Sequence, residues 1–474
     1  MTTDTDRQRR SRPHVTKRDP GEPGNTLPIL FGILGVALLA FLGGSYTMNR
    51  GLFPADYLRR AFDSGNALYD KMTRYQDPVQ TDFWQPARTE GRGVVFHDPA
   101  AAYEGLTLYT STHDQRAFLI DMEGRLVHQW ALPFSKVWDD TAAVKNPQPD
   151  SMVWIEKAHL FPNGDLLALY AANGDTPWGY GLVKMDRNSK VIWRYLEHAH
   201  HDFDIDKDGN IYVLTQAIAE NDLPGFEHLN KPRIDDFVAK LSPDGHELER
   251  FWVTGAFAGS GFGRRLYFVP WDVHQSRGDY LHANAVDVLD APVPGIPESR
   301  AGQVLLSLRE VSTVALADME KQSMVWGATG AWLRQHDAQF LPDGSLMLFD
   351  NEGAPGGHGP SRVIELDPAT EQITWSYGNR ADQPLDSVAR SSETRLANGN
   401  TLIVESMASR MIEVTPAGRI VWDFVNPVRG GAAEDRIPVI FWAERFAPDR
   451  DLTPDFRTAL GLGGETPPAD PPVR

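Results

Sequence analysis

From about residue 93 onward, apolar and polar positions alternate with period two and no long helical spacing intervenes, which predicts strands. One pattern returns six times: a short apolar strand, a turn rich in Asp, Gly, Pro or Asn, a second apolar stretch, then Trp. The copies are FLIDMEGRLVHQW ending at Trp130, LVKMDRNSKVIW at Trp193, FVAKLSPDGHELERFW at Trp252, VALADMEKQSMVW at Trp326, VIELDPATEQITW at Trp375 and MIEVTPAGRIVW at Trp422, spaced 47 to 74 residues apart. Upstream of most of them a second hairpin leaves an NG or DG turn: LFPNGDLLALY, IDKDGNIYVLT, FLPDGSLMLFD and RLANGNTLIVE. Two hairpins per unit make the four strands of one propeller blade. The fold class expected is therefore all-β, a six-bladed β-propeller of four-stranded blades over residues 93–447, with the Trp side chains as blade-packing core. The stretch IPVIFWAERF (437–446) is expected to supply a closing strand. Residues 448–474, rich in Pro and Asp, are expected to form an ill-ordered tail.

The pattern before the repeats is different. An uncharged run from Leu27 to Met48 is long enough to cross about 30 Å of hydrocarbon as a helix. Residues 1–26 carry six basic and four acidic side chains, so the positive-inside rule puts that tail in the cytoplasm and everything after Arg50 outside. A cleaved signal peptide competes, because LGGSYT offers small residues near a cut, but the long polar leader and long apolar run favour an uncleaved anchor over 27–48. Within residues 49–92, the stretch 51–75 has helical spacing and reads as a juxtamembrane helix, and a Pro- and Gly-punctuated linker follows.

Composition removes several function classes. The 474 residues include no Cys, which excludes disulfides, thiolate metal sites and a Cys nucleophile. The net charge of −18 argues against a nucleic-acid partner, since phosphate binding needs a basic footprint. Neither a phosphate-binding Gly loop with Lys-Ser/Thr nor a GxSxG elbow is present. Asp204, Asp206, Asp208 and Gly209 resemble the start of a calcium loop, but Thr215 stands at the twelfth position and a hairpin turn explains the same residues.

Propeller ligands sit where the inner strands converge. Eight residues ahead of the turn Gly stand Glu156, His201, His336 and Ser391, and DYLHANAVDVL places His282 near the matching strand of the fourth unit. His159 is a weaker member. One imidazole alone is an ordinary satisfied or solvated side chain. Three at corresponding positions make a cluster suited to an anion, to nucleophilic attack or to proton transfer. A metal site is the other use of clustered His, but the usual ligand spacings are missing, so no metal and no cofactor is expected.

Over roughly residues 100–446 the chain resembles the bacterial arylsulfotransferase family of exported six-bladed propellers. The segments that carry the resemblance are DYLHANAVDVL with VLLSLREVSTVALADMEKQSMVW, RQHDAQFLPDGSLMLFDNEG with SRVIELD, RLANGNTLIVESMASRMIEV and IPVIFWAERFAPD. The resemblance implies transfer of a sulfuryl group from a phenol ester to another phenol, without a nucleotide donor, through a sulfated histidine. It carries His282 and His336 over as sulfate-binding or proton-transfer residues and Asn284 as their orienting or donating neighbour. It implies an aryl sulfate or other anionic small molecule as ligand. With the N-terminal run it implies a single-pass protein of the bacterial inner membrane, its propeller in the periplasm. Two positions depart from the family pattern. After DNEG there is no basic residue before His358 and Arg362, which become the substrate-binding candidates. The last blade, Ser391 to Trp422, has no His, so either His201 or His358 replaces the usual nucleophile or the chemistry is direct, different or lost. A non-catalytic anion- or glycan-binding or scaffold propeller of the cell envelope is the alternative function.

Overall fold

The computed structural model describes residues 26–55, 57–58, 61–62, 65, 69, 77–269, 278–356 and 359–462. The chain divides into two compact units at Lys71. In the first, Thr26–Arg50 is one helix whose segment Pro28–Arg50 has a mean hydropathy of 2.1 and is long and apolar enough to cross a membrane. Its large side chains, Phe31, Leu34, Leu38 and Phe41 among them, are exposed, as lipid-facing residues are. Most of the expected juxtamembrane helix at 51–75, and the tail before residue 26, lie outside the described residues.

The second unit is a propeller of six antiparallel sheets, five of four strands and one of five. The second to fifth blades are each a continuous run of four strands, opening with the inner strands Val153–Leu160, Ala199–Ile205, Ala283–Val288 and His336–Phe340. The sixth runs Ser392–Arg395, Thr401–Glu405, Arg410–Val414 and Ile420–Val425, and gains Gly93–His97 as a fifth, outermost strand. The first blade is Leu106–Ser111, Arg116–Ile120 and Leu126–Ala131, and takes Ile440–Phe446 as its inner strand. The ring is thus closed by chain from both ends of the propeller.

Each neighbouring pair of blades shares one apolar layer, six in all. Within Leu166–Ala172 the even-numbered residues Leu166, Ala168 and Tyr170 face the first blade, and Leu167 and Leu169 face the third. Both faces are buried, which is why this strand reads LLALYAA instead of alternating. Indole N–H groups tie the rim: Trp130 donates to Gly164 O (3.0 Å), Trp193 to Pro243 O (3.1 Å), Trp375 to Pro416 O (2.8 Å) and Trp422 to Met122 O (2.9 Å).

The NG and DG turns close the bottom face. Gly164 N donates to Phe161 O and Phe161 N to Asp165 O, both 2.9 Å, with Gly164 at φ 91°, the left-handed position that glycine takes without strain. Asp206 belongs to the equivalent turn, its carboxylate accepting N–H of Asp208 and Asn210 (2.9 Å each). Longer connections gather on the opposite face, where inner strands begin. Residues 77–92, linker by sequence, lie on that face, with Trp84–Pro86 paired to Arg436–Pro438.

The expectation of an ill-ordered end after Pro448 is corrected over 448–462. Pro448–Asp451 and Pro454–Ala459 are short helices, the second capped by Thr453. Phe456 is buried beside Trp130 and His128, 6.3 and 5.9 Å between ring centres. An apolar pair at this spacing, FRTAL following a Pro start, anchors what composition alone assigned to solvent.

Candidate active site

Five of the six inner strands break register near their start, and the break turns side chains toward the axis; Ser392–Arg395 of the sixth blade pairs without a break. The shifts fall between Ile155 and Lys157, Ala199 and Phe203, Ala283 and Ala285, His336 and Gln339, and Ile440 and Trp442. His201 (φ 55°), His282 (51°), Asp337 (52°), Arg390 (64°) and Ser391 (84°) are left-handed without being glycine, a backbone cost that clusters at functional positions. The result is a cavity of about 50 Å³ on the axis, its wall including Glu156, His201, Asn284, His336, Arg390 and Ser391. That volume holds a few waters or a small tetrahedral head group.

Five of the positions marked by their distance from a turn or by the HxN motif, Glu156, His201, Asn284, His336 and Ser391, therefore meet at one place. His282 stands directly behind, its ring 4.8 Å from that of His201 and 5.3 Å from Trp178, with Nδ1 2.5 Å from Asp279 Oδ2. Arg362 is not brought to the cavity. It opens the third strand of the fifth blade, where Nε donates to buried Asp350 (2.9 Å). His358 lies outside the described residues. His159 is further down its strand, 3.8 Å from Glu444.

Hydrogen bonds fix the imidazoles. Asn351 Nδ2 donates to two carbonyls, Ser387 O (2.6 Å) and Arg390 O (2.9 Å), so its Oδ1 faces His336 Nδ1 (2.8 Å) as acceptor and the proton sits on Nδ1. His336 Nε2 accepts the N–H of Arg390 (3.2 Å). His201 Nδ1 lies 2.7 Å from His200 Nδ1, and His200 Nε2 lies 3.6 Å from Asp236 Oδ1. With His201 Nδ1 as the donor in that pair, His200 Nδ1 is the acceptor and its own proton sits on Nε2, which has no hydrogen-bond acceptor among the described residues. His201 Nε2, which has no hydrogen-bond partner among the described residues, then offers a lone pair. Burial, followed by the nearby His282, holds His200 and His201 well below the usual histidine range. Burial and then Arg309 do the same for His336. The three rings are neutral at ordinary pH.

Glu156 is the complementary group. Burial raises its carboxyl to about 7, against the His201 N–H that it accepts and the charge of Arg390. Asn284 Nδ2 donates to Gln335 O (2.8 Å), while its Oδ1 is buried without a donor. Lys157 is also in the cavity wall, 2.5 Å from Asp202. Burial opposes its charge, but Asp202, Asp337 and Asp204 hold the proton on it. The arrangement supplies a neutral nucleophile, a carboxyl that is half-protonated near neutrality, and two cations for an anion.

Arg390, His200 and Asp236 were not singled out by sequence. His200 adjoins His201 in the HAHHD run, and Arg390 immediately precedes Ser391. Asp236 is two strands away and carries no local signal. The carboxylates one or three residues after the axial positions have another use, each accepting an N–H from the next blade's inner strand: Asp202 from Val286, Asp204 from Val288, Asp287 from Phe340 and Asp337 from Glu393, at 2.8 to 3.0 Å. Among the described residues no group of three or more His, Asp or Glu is arranged to hold a metal ion. A larger cleft of about 360 Å³, lined by His113, Arg116 and Asp150 among others, lies between the first and second blades, away from these groups.

The family model described as Arylsulfotransferase (ASST) matches residues 157–427. No curated protein matches the chain. Among solved structures, a protein of unknown function from Bacteroides caccae is similar at 12% identity and TM-score 0.45, with 72% of this chain and 98% of that one covered. Virginiamycin B lyase from Staphylococcus aureus is similar at 9% identity and TM-score 0.37, with 76% and 98% covered.

Proposed function

The chain belongs to the arylsulfotransferase (ASST) family, and on that premise we propose that it moves a sulfuryl group from an aryl sulfate ester to a phenolic or other hydroxyl acceptor at the axial cavity, without a nucleotide donor. The observation that carries this reading is the convergence of His201, Glu156 and Arg390 on one small buried space. Family membership supports aryl sulfates and phenols as substrates.

The donor's sulfate group enters with its oxygens toward Arg390 and Lys157. His201 Nε2 attacks sulfur as the S–O bond to the aryl group breaks, and the departing aryloxide takes the proton of Glu156. The proton on His201 Nδ1 is shared with His200 Nδ1, which offsets the charge the ring gains on forming its N–S bond. The acceptor's hydroxyl then gives its proton to the Glu156 carboxylate as its oxygen takes the sulfuryl group from His201. Both groups return to their starting states. His336 is a positioning residue here, because its Nε2 holds the Arg390 N–H in the left-handed turn.

The test is release of 4-nitrophenol from 4-nitrophenyl sulfate by the full chain, with phenol as acceptor. Acceptor-dependent release is expected, lost in His201→Ala, with a sulfuryl adduct on the peptide bearing His201 when acceptor is left out. A folded protein with no turnover over a broad donor panel would favour the second reading, an anion-binding propeller, which the presence of Ser391 in place of a sixth-blade histidine supports. The same proposal puts the propeller outside the cytoplasm on a single-pass anchor. The apolar helix Thr26–Arg50 and the basic side chains before it support that, and carbonate-resistant membrane pelleting of the full chain, with protease access only from the outer side, is the expected behaviour.

A further inference from the structure

Residues 77–92 are held on the propeller by specific contacts. The carbonyl of Phe83 accepts the Thr112 hydroxyl (2.8 Å) and the Val439 N–H (2.9 Å). Arg88 reaches the Asp386 carbonyl (2.8 Å) and Glu405 (3.3 Å) on the sixth blade. This seats the Phe83 ring against Trp154 and Phe441, at 4.1 and 5.9 Å between ring centres, while Trp154 and Phe441 are themselves 5.7 Å apart. The Arg390 guanidinium lies over Phe83 at 4.4 Å and over Phe441 at 5.4 Å. Its Nη2 donates to the Asp82 carboxylate at 2.8 Å and its Nη1 to Met407 Sδ at 3.4 Å.

Phe441 and Arg390 are also wall residues of the axial cavity, so this slot is its mouth. Trp154, 4% exposed, has a buried indole N–H with no acceptor. A buried donor left unsatisfied costs free energy, and beside a slot lined with aromatic rings it marks a place for a ligand oxygen. Asp82 and Phe83 present an aromatic ring joined to an anion, with the ring on the rings and the anion on Arg390.

We propose that Trp154, Phe441 and Arg390 form a binding slot for an aromatic anion, and that Asp82–Phe83 fills it as an intramolecular stand-in which an incoming ligand must displace. This rests on the axial cavity being the anion site. A tethered occupant competes at high effective concentration and lowers the apparent affinity by the fraction of slots it leaves empty. Its hold on the propeller is a two-stranded ladder and a few side-chain contacts, a segment of the kind that opens locally without global unfolding.

The experiment is calorimetric titration of the full chain with benzenesulfonate, an aromatic anion whose C–S bond is not transferred, and separately with inorganic sulfate. Phe83→Ala should bind benzenesulfonate roughly tenfold more tightly than the parent, the worth of one displaced ring contact, with sulfate affinity unchanged. Asp82→Asn should give a smaller gain, and adding Trp154→Ala to Phe83→Ala should remove it. Unchanged or weaker benzenesulfonate binding by folded Phe83→Ala overturns the proposal, as does an equal gain for sulfate, which would mean only that the cavity had been opened. If Phe83→Ala does not fold, Asp82→Asn decides alone, and no gain there counts against the slot. Because benzenesulfonate is not turned over, the outcome stands whether or not aryl sulfates are substrates.

Discussion

At the scale of single residues, the carboxyl of Glu156 sets the pH behaviour. Burial favours its neutral form and lifts it to about 7, so the protonated acid that must protonate an aryloxide disappears as pH rises through that value. His201 is depressed well below the usual histidine range, chiefly by burial, and stays a neutral nucleophile on both sides of it. Transfer from esters of poorly acidic phenols should therefore fall as pH rises above about 7. Glu156→Gln should lower kcat on them by roughly 10²–10⁴-fold and abolish that limb of the profile. With 4-nitrophenyl sulfate, whose leaving group needs little protonation, the loss should be small. An equal loss on both donors would deny Glu156 the acid role. Glu156, His201, His336 and Ser391 were legible in the sequence because hairpin geometry fixes the distance from an inner strand's start to its turn Gly. Arg390 obeys no such rule: it stands one residue ahead of the position that the turn distance marks, and its side chain still reaches the cavity. Arg362 illustrates the converse, a basic residue at a plausible distance that satisfies buried Asp350 instead.

At the scale of strands, the inner strand of a blade is a sheet edge facing its neighbours, and its N–H groups need acceptors that the sheet does not supply. Asp202, Asp204, Asp287 and Asp337 supply them, which explains why the chain is acidic along the axis. Glu393 is the exception, buried with neither carboxyl oxygen hydrogen-bonded. Burial first, and Asp337 second, raise it well above the usual carboxylate range. The unfolded chain ionises near 4.5 while the folded one keeps its proton, so the folded state binds the extra proton and stability is lost as pH climbs from 4.5 toward the raised value. Glu393→Gln removes that dependence. Its unfolding free energy should match the parent's near pH 4.5 and exceed it increasingly toward pH 8, by up to about 1.4 kcal/mol for each pH unit in the window, as read from denaturant melts across that range. A difference that does not change with pH would place the effect in packing. The strands themselves were readable from alternation and Trp spacing, whereas these clasps were not, because the partner of each Asp is a backbone group in another blade.

At the scale of the whole molecule, stability depends on how the ring is closed. The repeat pattern and the apolar run 437–446 disclosed one closure, because a strand with aromatic and aliphatic residues after the last repeat has nowhere else to pair. That Gly93–His97 adds to the sixth blade has no such signal. It is the outermost strand of the sixth blade, with Val95 and Phe96 exposed, and so lacks the apolar stripe of a core strand. The C-terminal closure carries more than a ladder: Arg445, buried, donates to Thr107 (2.7 Å) within its blade and to Glu413 (3.2 Å) of the sixth. Burial pulls this guanidinium down to about 10, a measure of how much its charge depends on Glu413 and the carbonyl of Tyr103. Arg445→Met leaves Glu413 buried with its Asn400 and Tyr103 N–H contacts but no cation, and should destabilise the propeller by about 3–5 kcal/mol. Ending the chain at Val439 removes the strand as well, opening the first blade's Leu106–Ser111 edge and two apolar layers, so no cooperative melting transition should remain. Ending it at Leu462 keeps every one of these contacts and should leave the transition unchanged. If the chain ended at Val439 melted cooperatively near the parent temperature, the C-terminal strand would be an accessory, and closure would rest on the packing of adjacent blades alone.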